Sequence, residues 1–236
     1  MSTSMQKYTA EFIGSAALVI VGCGAITMGG LGGVLGSGQP FASLAILPIG
    51  LAFGLTVMAM AYGIGPISGC HINPAVTVAA FVAGRMPASD VPGYIIAQFL
   101  GAIVGAGLLY VMLAGKVTGY DVTAAGLGQT GWSSFSLSSA VLAEFIATFL
   151  FIVVILGATS KAGTTPVAGL AIGLTLAVLH LAFVPVSGNS LNPSRSFGPA
   201  VFVGGQALAQ VWMFLIVPTI AGAVAGLLFR NKTLEA

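Results

Sequence analysis

The chain has 236 residues, of which 57% are hydrophobic and only 5% carry a charged side chain. Because soluble domains contain about 25% charged residues, this composition excludes an ordinary soluble protein and indicates an integral membrane protein. The formal net charge of +2 is too small to predict a nucleic-acid partner.

The first half of the chain contains three apolar stretches that are long enough to span a bilayer as helices, for which about 20 residues are needed. They are residues 8–28, 43–64 and 91–113. No Asp, Glu, Lys or Arg occurs between Phe12 and Gly84. The glycine-rich residues 29–38 predict an outer loop. Residues 74–83 are apolar but too short to cross, because ten helical residues reach only about 15 Å.

The second half of the chain has the same order of elements. Its three spanning stretches are residues 137–159, 166–184 and 208–229. Residues 118–134, rich in Gly, Thr and Ser, predict an outer loop, and residues 161–166 predict a short inner turn. Residues 193–203 form a second apolar stretch that is too short to cross the membrane.

Three blocks of the first half recur in the second half at a constant offset of 119 positions. They are residues 50–56 and 169–175, residues 68–75 and 187–194, and residues 107–110 and 226–229. A constant offset indicates an internal repeat. The two repeats cover about residues 8–115 and 136–230 of a single domain, residues 1–236.

Each repeat has three full helices and one half-helix, which is an odd number of crossings, so the second repeat is inverted relative to the first. The half-helices then enter from opposite faces and meet at the midplane, as in inverted-repeat transporters. Because lipid cannot satisfy non-helical backbone, residues 66–73 and 186–192 are expected to line a cavity. The predicted fold is an all-α membrane protein with six transmembrane helices plus two re-entrant half-helices in an inverted internal repeat.

Basic residues lie mainly on one side of this topology, which predicts that both termini are cytoplasmic in a plasma or inner membrane. The residues on that side are Lys7, Arg85, Lys161, Arg230 and Lys232, with Lys116 alone on the other side.

Asn73 and Asn192 each precede a proline that opens a half-helix, Pro74 or Pro193. A single Asn-Pro pair predicts no more than a good helix start. Two copies at the membrane centre indicate more, because capping uses the side-chain oxygen and leaves each amide NH2 free to donate into the cavity. Both helix N-termini also direct about half an elementary positive charge at the same point. The pattern favours neutral polar solutes over cations.

Arg195 and His180 are polar residues within apolar stretches. A charge inside the membrane is costly and usually faces a wet interior. Since Arg195 lies three residues after Asn192, we expect it to face the cavity. For His180 taken alone, a packing role and a functional role are both open.

Glu11 and Glu144 both stand in the sequence Ala-Glu-Phe-Ile near the start of the first helix of a repeat. Two roles are open, a proton relay and a buried structural acceptor for backbone N–H groups of the half-helix loops. The structural role is favoured, because a relay needs partners that the sequence lacks.

No nucleophile and base pair, metal-ligand cluster or cofactor motif stands out, so we expect no enzyme activity, no cofactor and no bound metal. The two cysteines, Cys23 and Cys70, both lie in apolar surroundings and give no support for a disulfide framework.

The segments 71–77, His-Ile-Asn-Pro-Ala-Val-Thr, and 190–199, Ser-Leu-Asn-Pro-Ser-Arg-Ser-Phe-Gly-Pro, closely resemble the two signature loops of the aquaporin (major intrinsic protein) family. The resemblance covers almost the whole chain. It implies a channel with Asn73-Pro74-Ala75 and Asn192-Pro193-Ser194 at the pore centre. It also implies a homotetramer in the lipid bilayer with one pore per subunit.

The same resemblance places Phe53, His180, Asn189 and Arg195 in an outer selectivity filter. This combination looks like the water-selective branch of the family. Glycerol-conducting relatives usually have a small residue in place of this His, and Asp directly after the Arg, where this chain has Ser196.

Two positions depart from the family pattern. Asn189 stands where a small residue is usual, which narrows the filter or adds a hydrogen-bonding pair. Ser194 stands where the second motif usually has Ala, and its hydroxyl is expected to bond the backbone locally.

The resulting hypothesis is a passive water channel driven by osmotic gradients, which excludes ions and protons. One alternative is a broader facilitator of glycerol, ammonia or hydrogen peroxide. Another is an inverted-repeat secondary transporter, which usually needs an ion-coupling acid near the midplane.

The offset of 119 positions pairs Cys70 with Asn189 and so places Cys70 at the inner approach to the pore, with a buried inert thiol as the open alternative. We therefore predict that mercurials which reach Cys70 slow water flux, because the adduct obstructs the pore. Stopped-flow measurements with and without mercurial test this in the native and Cys70→Ser proteins. Equal inhibition of both would remove the assignment.

Overall fold

The computed structural model describes residues 2–29, 43–163 and 165–234. Over these residues the chain consists of α-helices, one short 3-10 helix and connecting loops. The helices are α1 (Ser4–Thr27), α2 (Ser43–Ser68), α3 (Pro74–Val82), α4 (Val91–Ala114), α5 (Val122–Ala125), α6 (Leu137–Ala158), α7 (Ala168–Ser187), α8 (Pro193–Val203) and α9 (Gly205–Arg230), with the 3-10 helix Thr165–Val167 before α7.

Within the described residues, α1, α2, α4, α6, α7 and α9 are long and apolar enough to cross a membrane. The helices α3 and α8 have 9 and 11 residues, which corresponds to about half of a bilayer core at 1.5 Å per residue. The predicted fold class, six transmembrane helices and two half-helices in an inverted repeat, is confirmed.

The two repeats interlock through their half-helices. In the first repeat α1 packs on α2 and α4, and in the second α6 packs on α7 and α9. The helix α2 packs along α7, which joins the repeats, while α3 packs chiefly against α9 and α8 packs against both α4 and α9. Each half-helix therefore touches the last long helix of the other repeat.

The unwound segments before the half-helices are shorter than residues 66–73 and 186–192, which the sequence predicts. α2 continues to Ser68 and α7 to Ser187, because a proline near a helix end removes only one N–H donor. The helices break at Gly69 and Gly188, which both have φ +85°, a value that glycine adopts without strain.

The N-terminal and outer segments also differ from the prediction. α1 begins before residue 8, because Thr3 and Gln6 form a capping box at its start. The predicted outer loop 118–134 contains the one-turn helix α5, capped by Asp121. Hydrogen bonds from the Thr123 hydroxyl and from the N–H groups of Thr123 and Ala124 lower the pKa of Asp121. The other predicted outer loop, 29–38, lies outside the described residues except for Gly29.

The crossing of α2 and α7 depends on two glycines at equivalent positions of the repeats. A methyl group added to Gly173 would lie 2.5 Å from the Gly54 carbonyl oxygen, and one added to Gly54 would meet the Gly173 carbonyl oxygen equally closely. The backbones therefore touch directly, as small residues permit between membrane helices.

We predict that Gly54→Ala lowers the melting temperature in detergent by about 3–6 °C, because overpacking costs about 1–3 kcal/mol. Gly63→Ala on the same helix is the matched control. A methyl group there meets no atom within 4 Å, so alanine's higher helix propensity should leave the melting temperature unchanged or slightly raised. Equal melting temperatures for the two variants would contradict the direct backbone contact.

Candidate functional site

A cavity of about 220 Å³ runs through the centre of the protein and is lined by residues of both repeats. At one end its lining includes Arg85 and Thr159, and at the other Phe53, His180 and Arg195. Between these ends the cavity passes the two asparagines of the Asn-Pro motifs. The lining is mainly apolar, so a few polar atoms decide what a molecule inside can bond.

The Asn-Pro motifs meet at the middle of this cavity and are joined by a reciprocal pair of hydrogen bonds. The Asn73 Nδ2 donates to the Leu191 carbonyl oxygen at 2.8 Å, and the Asn192 Nδ2 donates to the Ile72 carbonyl oxygen at 2.8 Å. The expectation that both amide NH2 groups are wholly free is therefore wrong. Each NH2 uses one hydrogen to join the repeats, which leaves one hydrogen to donate elsewhere.

The side-chain oxygens of the two asparagines cap the half-helices unequally. The Asn73 Oδ1 accepts from the Ala75 N–H at 2.9 Å. The Asn192 Oδ1 accepts from the Ser194 N–H at 3.1 Å, from the Arg195 N–H at 3.3 Å and from the Ser194 hydroxyl at 2.8 Å. The Ser194 hydroxyl thus bonds the Asn192 side chain, not the backbone as the sequence suggests. Pro74 and Pro193 occupy the first turns as predicted.

The loops that lead into the half-helices have the same unusual backbone in both repeats. Positive φ values occur at Cys70 (52°) and Ile72 (42°) and, 119 positions later, at Asn189 (49°) and Leu191 (52°). Residues other than glycine disfavour this region, at a cost of about 1–3 kcal/mol each, unless the surroundings hold them there. The surroundings must therefore stabilise both loops.

Two buried carboxylates supply that stabilisation. Glu11 accepts hydrogen bonds from the Ser68 hydroxyl at 2.7 Å and from the N–H groups of His71 at 2.9 Å and Ile72 at 2.5 Å. Its exposed fraction is 0%. Because a buried carboxylate has no bulk water to bond, these groups of the protein take the place of water as donors. The Gln98 side chain adds a fourth donor at 2.8 Å.

Glu144 repeats this arrangement in the second half. It accepts from the Ser187 hydroxyl at 2.6 Å, the Ser190 N–H at 2.8 Å and the Leu191 N–H at 3.0 Å. It is also fully buried. The two acids therefore occupy equivalent sites, although their distance along the chain differs from the 119-residue offset of the loops.

A second layer of hydroxyl and amide groups supports each loop, and the sequence reasoning missed it. Thr77 accepts from the Gln98 Nε2 at 2.9 Å and lies 3.1 Å from the His71 Nδ1. Its equivalent, Ser196, accepts from the Thr130 hydroxyl at 2.7 Å and also bonds Ser190. The signals were present, because Thr77 and Ser196 lie two residues after the repeated blocks 68–75 and 187–194, at the same offset of 119 positions, and Gln98 interrupts an apolar helix.

At the outer end, three side chains form a compact stack. The rings of Phe53 and His180 are parallel within 23° at 4.7 Å, and the Arg195 guanidinium lies 4.6 Å from the Phe53 ring centre. Each of the three is no more than 1% exposed. The structure therefore brings these predicted filter residues together.

Arg195 is held by the outer loop. Its Nη1 donates to the Gly128 carbonyl oxygen at 2.9 Å, whereas Nε and Nη2 have no partner among the described residues. The ion pair that occurs within those residues, Lys7 with Asp90, does not involve Arg195. The guanidinium thus forms no ion pair within the described residues and keeps two donor groups beside Phe53 and His180.

Asn189 and Cys70 take different positions relative to the cavity. Cys70 is partly buried and lines it. Asn189 is not among the described residues of the lining, and its Nδ2 lies 3.0 Å from the His180 Nδ1. Of the described residues, no three His, Cys, Asp or Glu side chains are grouped to hold a metal ion.

Comparison with known proteins gives concordant matches. Residues 1–229 match the family model described as major intrinsic protein. A protein of Bradyrhizobium diazoefficiens named Aquaporin Z is 44% identical over 231 residues, covering 96% of this chain and 92% of the relative. Another Aquaporin Z, from Rhodopseudomonas palustris, is 42% identical over 229 residues, covering 95% and 92%.

A solved structure shares the fold at lower identity. The X-ray structure of the aquaglyceroporin from Plasmodium falciparum superposes with a TM-score of 0.78 and covers 99% of this chain and 97% of that one. Its sequence identity is 23%, so it supports the fold alone.

We predict that Glu144→Gln loosens the loop 188–192, because the new amide nitrogen cannot accept a backbone N–H. Hydrogen bonds to a charged group contribute about 1.5–3 kcal/mol, so exchange of the Ser190 and Leu191 amides should accelerate about tenfold or more. Hydrogen–deuterium exchange with peptide-level mass spectrometry measures this.

Glu11→Gln is the matched control and should accelerate exchange in residues 69–73 instead. If both variants loosened the same loop, or neither loosened any, the assignment of one carboxylate to each loop would be wrong.

Proposed function

The chain belongs to the major intrinsic protein family and is an integral membrane protein, and we propose that it is a passive water channel driven by osmotic gradients. One observation carries this proposal: the N-termini of the two half-helices α3 and α8 face the same cavity, and each is capped by an asparagine that lines it. Such a site offers hydrogen-bond donors to a neutral solute and requires no covalent chemistry.

Charge exclusion follows from the electrostatics of the cavity. Each half-helix directs about half an elementary positive charge at Asn73 or Asn192, and Arg195 adds a positive charge that forms no ion pair within the described residues. A cation in the cavity would lose its hydration and meet a positive potential from both sources. The channel therefore excludes cations.

Water orientation at the centre follows from the amide hydrogens. After the reciprocal bonds to Leu191 and Ile72, each asparagine has one N–H to donate. A water molecule that accepts from both has its own hydrogens directed away from the centre, towards opposite ends of the file. This orientation interrupts a continuous chain of donors and acceptors, so protons do not pass.

Solute size is selected at the outer stack. Phe53 presents an apolar ring, whereas His180 and Arg195 leave polar nitrogen atoms without a partner in the described part of the chain. A water molecule can bond these atoms, while a larger carbon-bearing solute has to pass three buried side chains that pack against one another. The filter therefore consists of Phe53, His180 and Arg195, with Asn189 behind His180.

The remaining assignments concern support and assembly. Glu11 and Glu144 are structural acceptors, since hydrogen bonds to the loops occupy both oxygens of each carboxylate. Cys70 faces the inner part of the pore. The family relationship supports a homotetramer, and the distribution of basic residues supports cytoplasmic termini in a plasma or inner membrane.

Stopped-flow light scattering on proteoliposomes tests the proposed function. We expect osmotic shrinkage much faster than that of empty liposomes, no faster reswelling with glycerol, and no proton leak. Shrinkage no faster than in empty liposomes would refute the water channel. Fast reswelling with glycerol would instead indicate the broader facilitator of small neutral solutes.

The combined change of His180→Ala and Arg195→Val tests the filter in the same assay. Removing both polar side chains widens the constriction, so uptake of glycerol and urea should rise above that of empty liposomes. If the double variant still excluded both solutes while conducting water, the filter assignment would be wrong. Phe145→Leu, on the partly buried side of α6 away from the cavity lining, is the control.

A further inference from the structure

The hydrogen-bond partners of His180 determine which of its ring nitrogens carries the hydrogen. The Nδ1 lies 2.9 Å from the Leu176 carbonyl oxygen, one turn earlier in α7. A carbonyl oxygen only accepts, so a hydrogen bond at this distance requires a hydrogen on Nδ1. The neutral ring then has none on Nε2.

The bare Nε2 matters because it is the ring nitrogen left for a molecule in the cavity. His180 lines the cavity, and its Nε2 is buried without a hydrogen-bond partner among the described residues. Arg195 offers Nε and Nη2 as donors at the same constriction. With Nε2 as an acceptor, a water molecule there can donate to His180 and accept from Arg195.

Asn189 touches the same ring nitrogen from the other side. Its amide group lies 3.0 Å from Nδ1, with the amide nitrogen placed nearest. The two ends of an amide side chain are assigned from the hydrogen-bond network and not from their shape. With a hydrogen on Nδ1 and the amide nitrogen nearest to it, two donors would face each other.

Turning the Asn189 amide by 180° removes this conflict between two donors. The oxygen then faces Nδ1–H and accepts from it. As placed in the structure, Oδ1 is buried and has no partner among the described residues. After the turn Oδ1 shares the single Nδ1 hydrogen with the Leu176 carbonyl, and the amide nitrogen takes the place without a partner. The Leu176 carbonyl cannot turn in the same way, because it belongs to the helix backbone.

We propose that Asn189 is a positioning residue for His180: together with the Leu176 carbonyl, its amide oxygen holds the ring with the hydrogen on Nδ1 and presents Nε2 to the permeating molecule as an acceptor. Asn189 acts through His180, since it does not itself line the cavity. Its equivalent in the first repeat, Cys70, has no amide, and Ala61 stands at the position equivalent to His180. The arrangement belongs to the second repeat alone.

The role in transport rests on the proposed function, but the state of the ring can be measured without any flux. The sequence has two histidines, so solid-state NMR of protein labelled with 15N at histidine shows two rings, and His180→Ala identifies the signals of His71. We expect a His180 ring with a hydrogen on Nδ1 and none on Nε2. A hydrogen on Nε2, in a neutral or a charged ring, would overturn the proposal.

Two substitutions separate positioning from packing. Asn189→Leu has similar size and no polar group, and Leu191 shows that this loop accepts leucine at φ +52°. Loss of one ordinary hydrogen bond should raise the ratio of Nε2–H to Nδ1–H rings about fivefold. Asn189→Asp keeps an acceptor, so Nδ1 should stay protonated.

If Asn189 instead donates a hydrogen bond to Nδ1, both variants should behave differently from these expectations. Asn189→Leu would then lower the fraction of Nε2–H rings, and Asn189→Asp, which cannot donate, would not preserve the native state of the ring. Either result, or an unchanged ratio in Asn189→Leu, would refute the positioning role. If Asn189→Leu does not fold, the native spectrum and Asn189→Asp still decide.

Water permeability measured on the same proteoliposomes distinguishes this inference from the proposed function. A native protein with the expected ring but no water flux would refute the water channel and support the positioning role. A native protein with fast water flux and a hydrogen on Nε2 would do the reverse.

Discussion

The whole architecture depends on satisfying non-helical backbone at the centre of a bilayer. Each repeat breaks a helix at Gly69 or Gly188 and follows it with residues in the left-handed region. Lipid offers these N–H groups no partner, so each loop bonds a buried carboxylate from the first helix of its own repeat. The reciprocal bonds of Asn73 and Asn192 then join the loops. Without these contacts neither half-helix would begin at the centre of the membrane.

A symmetric scaffold supports an asymmetric constriction. The loop conformations, the loop groups that bond the carboxylates and the asparagine bonds recur at an offset of 119 positions. The filter does not, because Phe53 is paired with Ile172 and Val76 with Arg195. The repeat thus positions the two Asn-Pro motifs. The charge of the filter comes from Arg195, which has no charged equivalent in the first repeat. The outer loop completes this asymmetry, since the Gly128 carbonyl holds the Arg195 guanidinium.

Much of this was predictable from local sequence, and the two errors at the centre of the cavity share one cause. The half-helices begin at Pro74 and Pro193 as predicted, because N-capping and proline at the first turn are local preferences. The amide hydrogens of Asn73 and Asn192 were expected to be free, but half of them bond carbonyl groups about 120 residues away in the chain. The hydroxyl of Ser194 likewise bonds a side chain instead of the backbone. Both errors concern which of several available acceptors a donor selects.

The sequence by itself determined the membrane class, the six spans, the two half-helices and their inversion, because length, apolar composition and a constant offset act through the bilayer thickness and not through particular contacts. It also predicted the two asparagines of the Asn-Pro motifs, and the family resemblance added the residues of the filter. Only the tertiary structure decided that Glu11 and Glu144 each bond one loop, that Gln98 and Thr130 support those loops, and that Asn189 lies behind His180 instead of lining the cavity. Those contacts join elements far apart in the chain, and their partners are set by distances of 2.5 to 3.0 Å that emerge only when all the helices are packed.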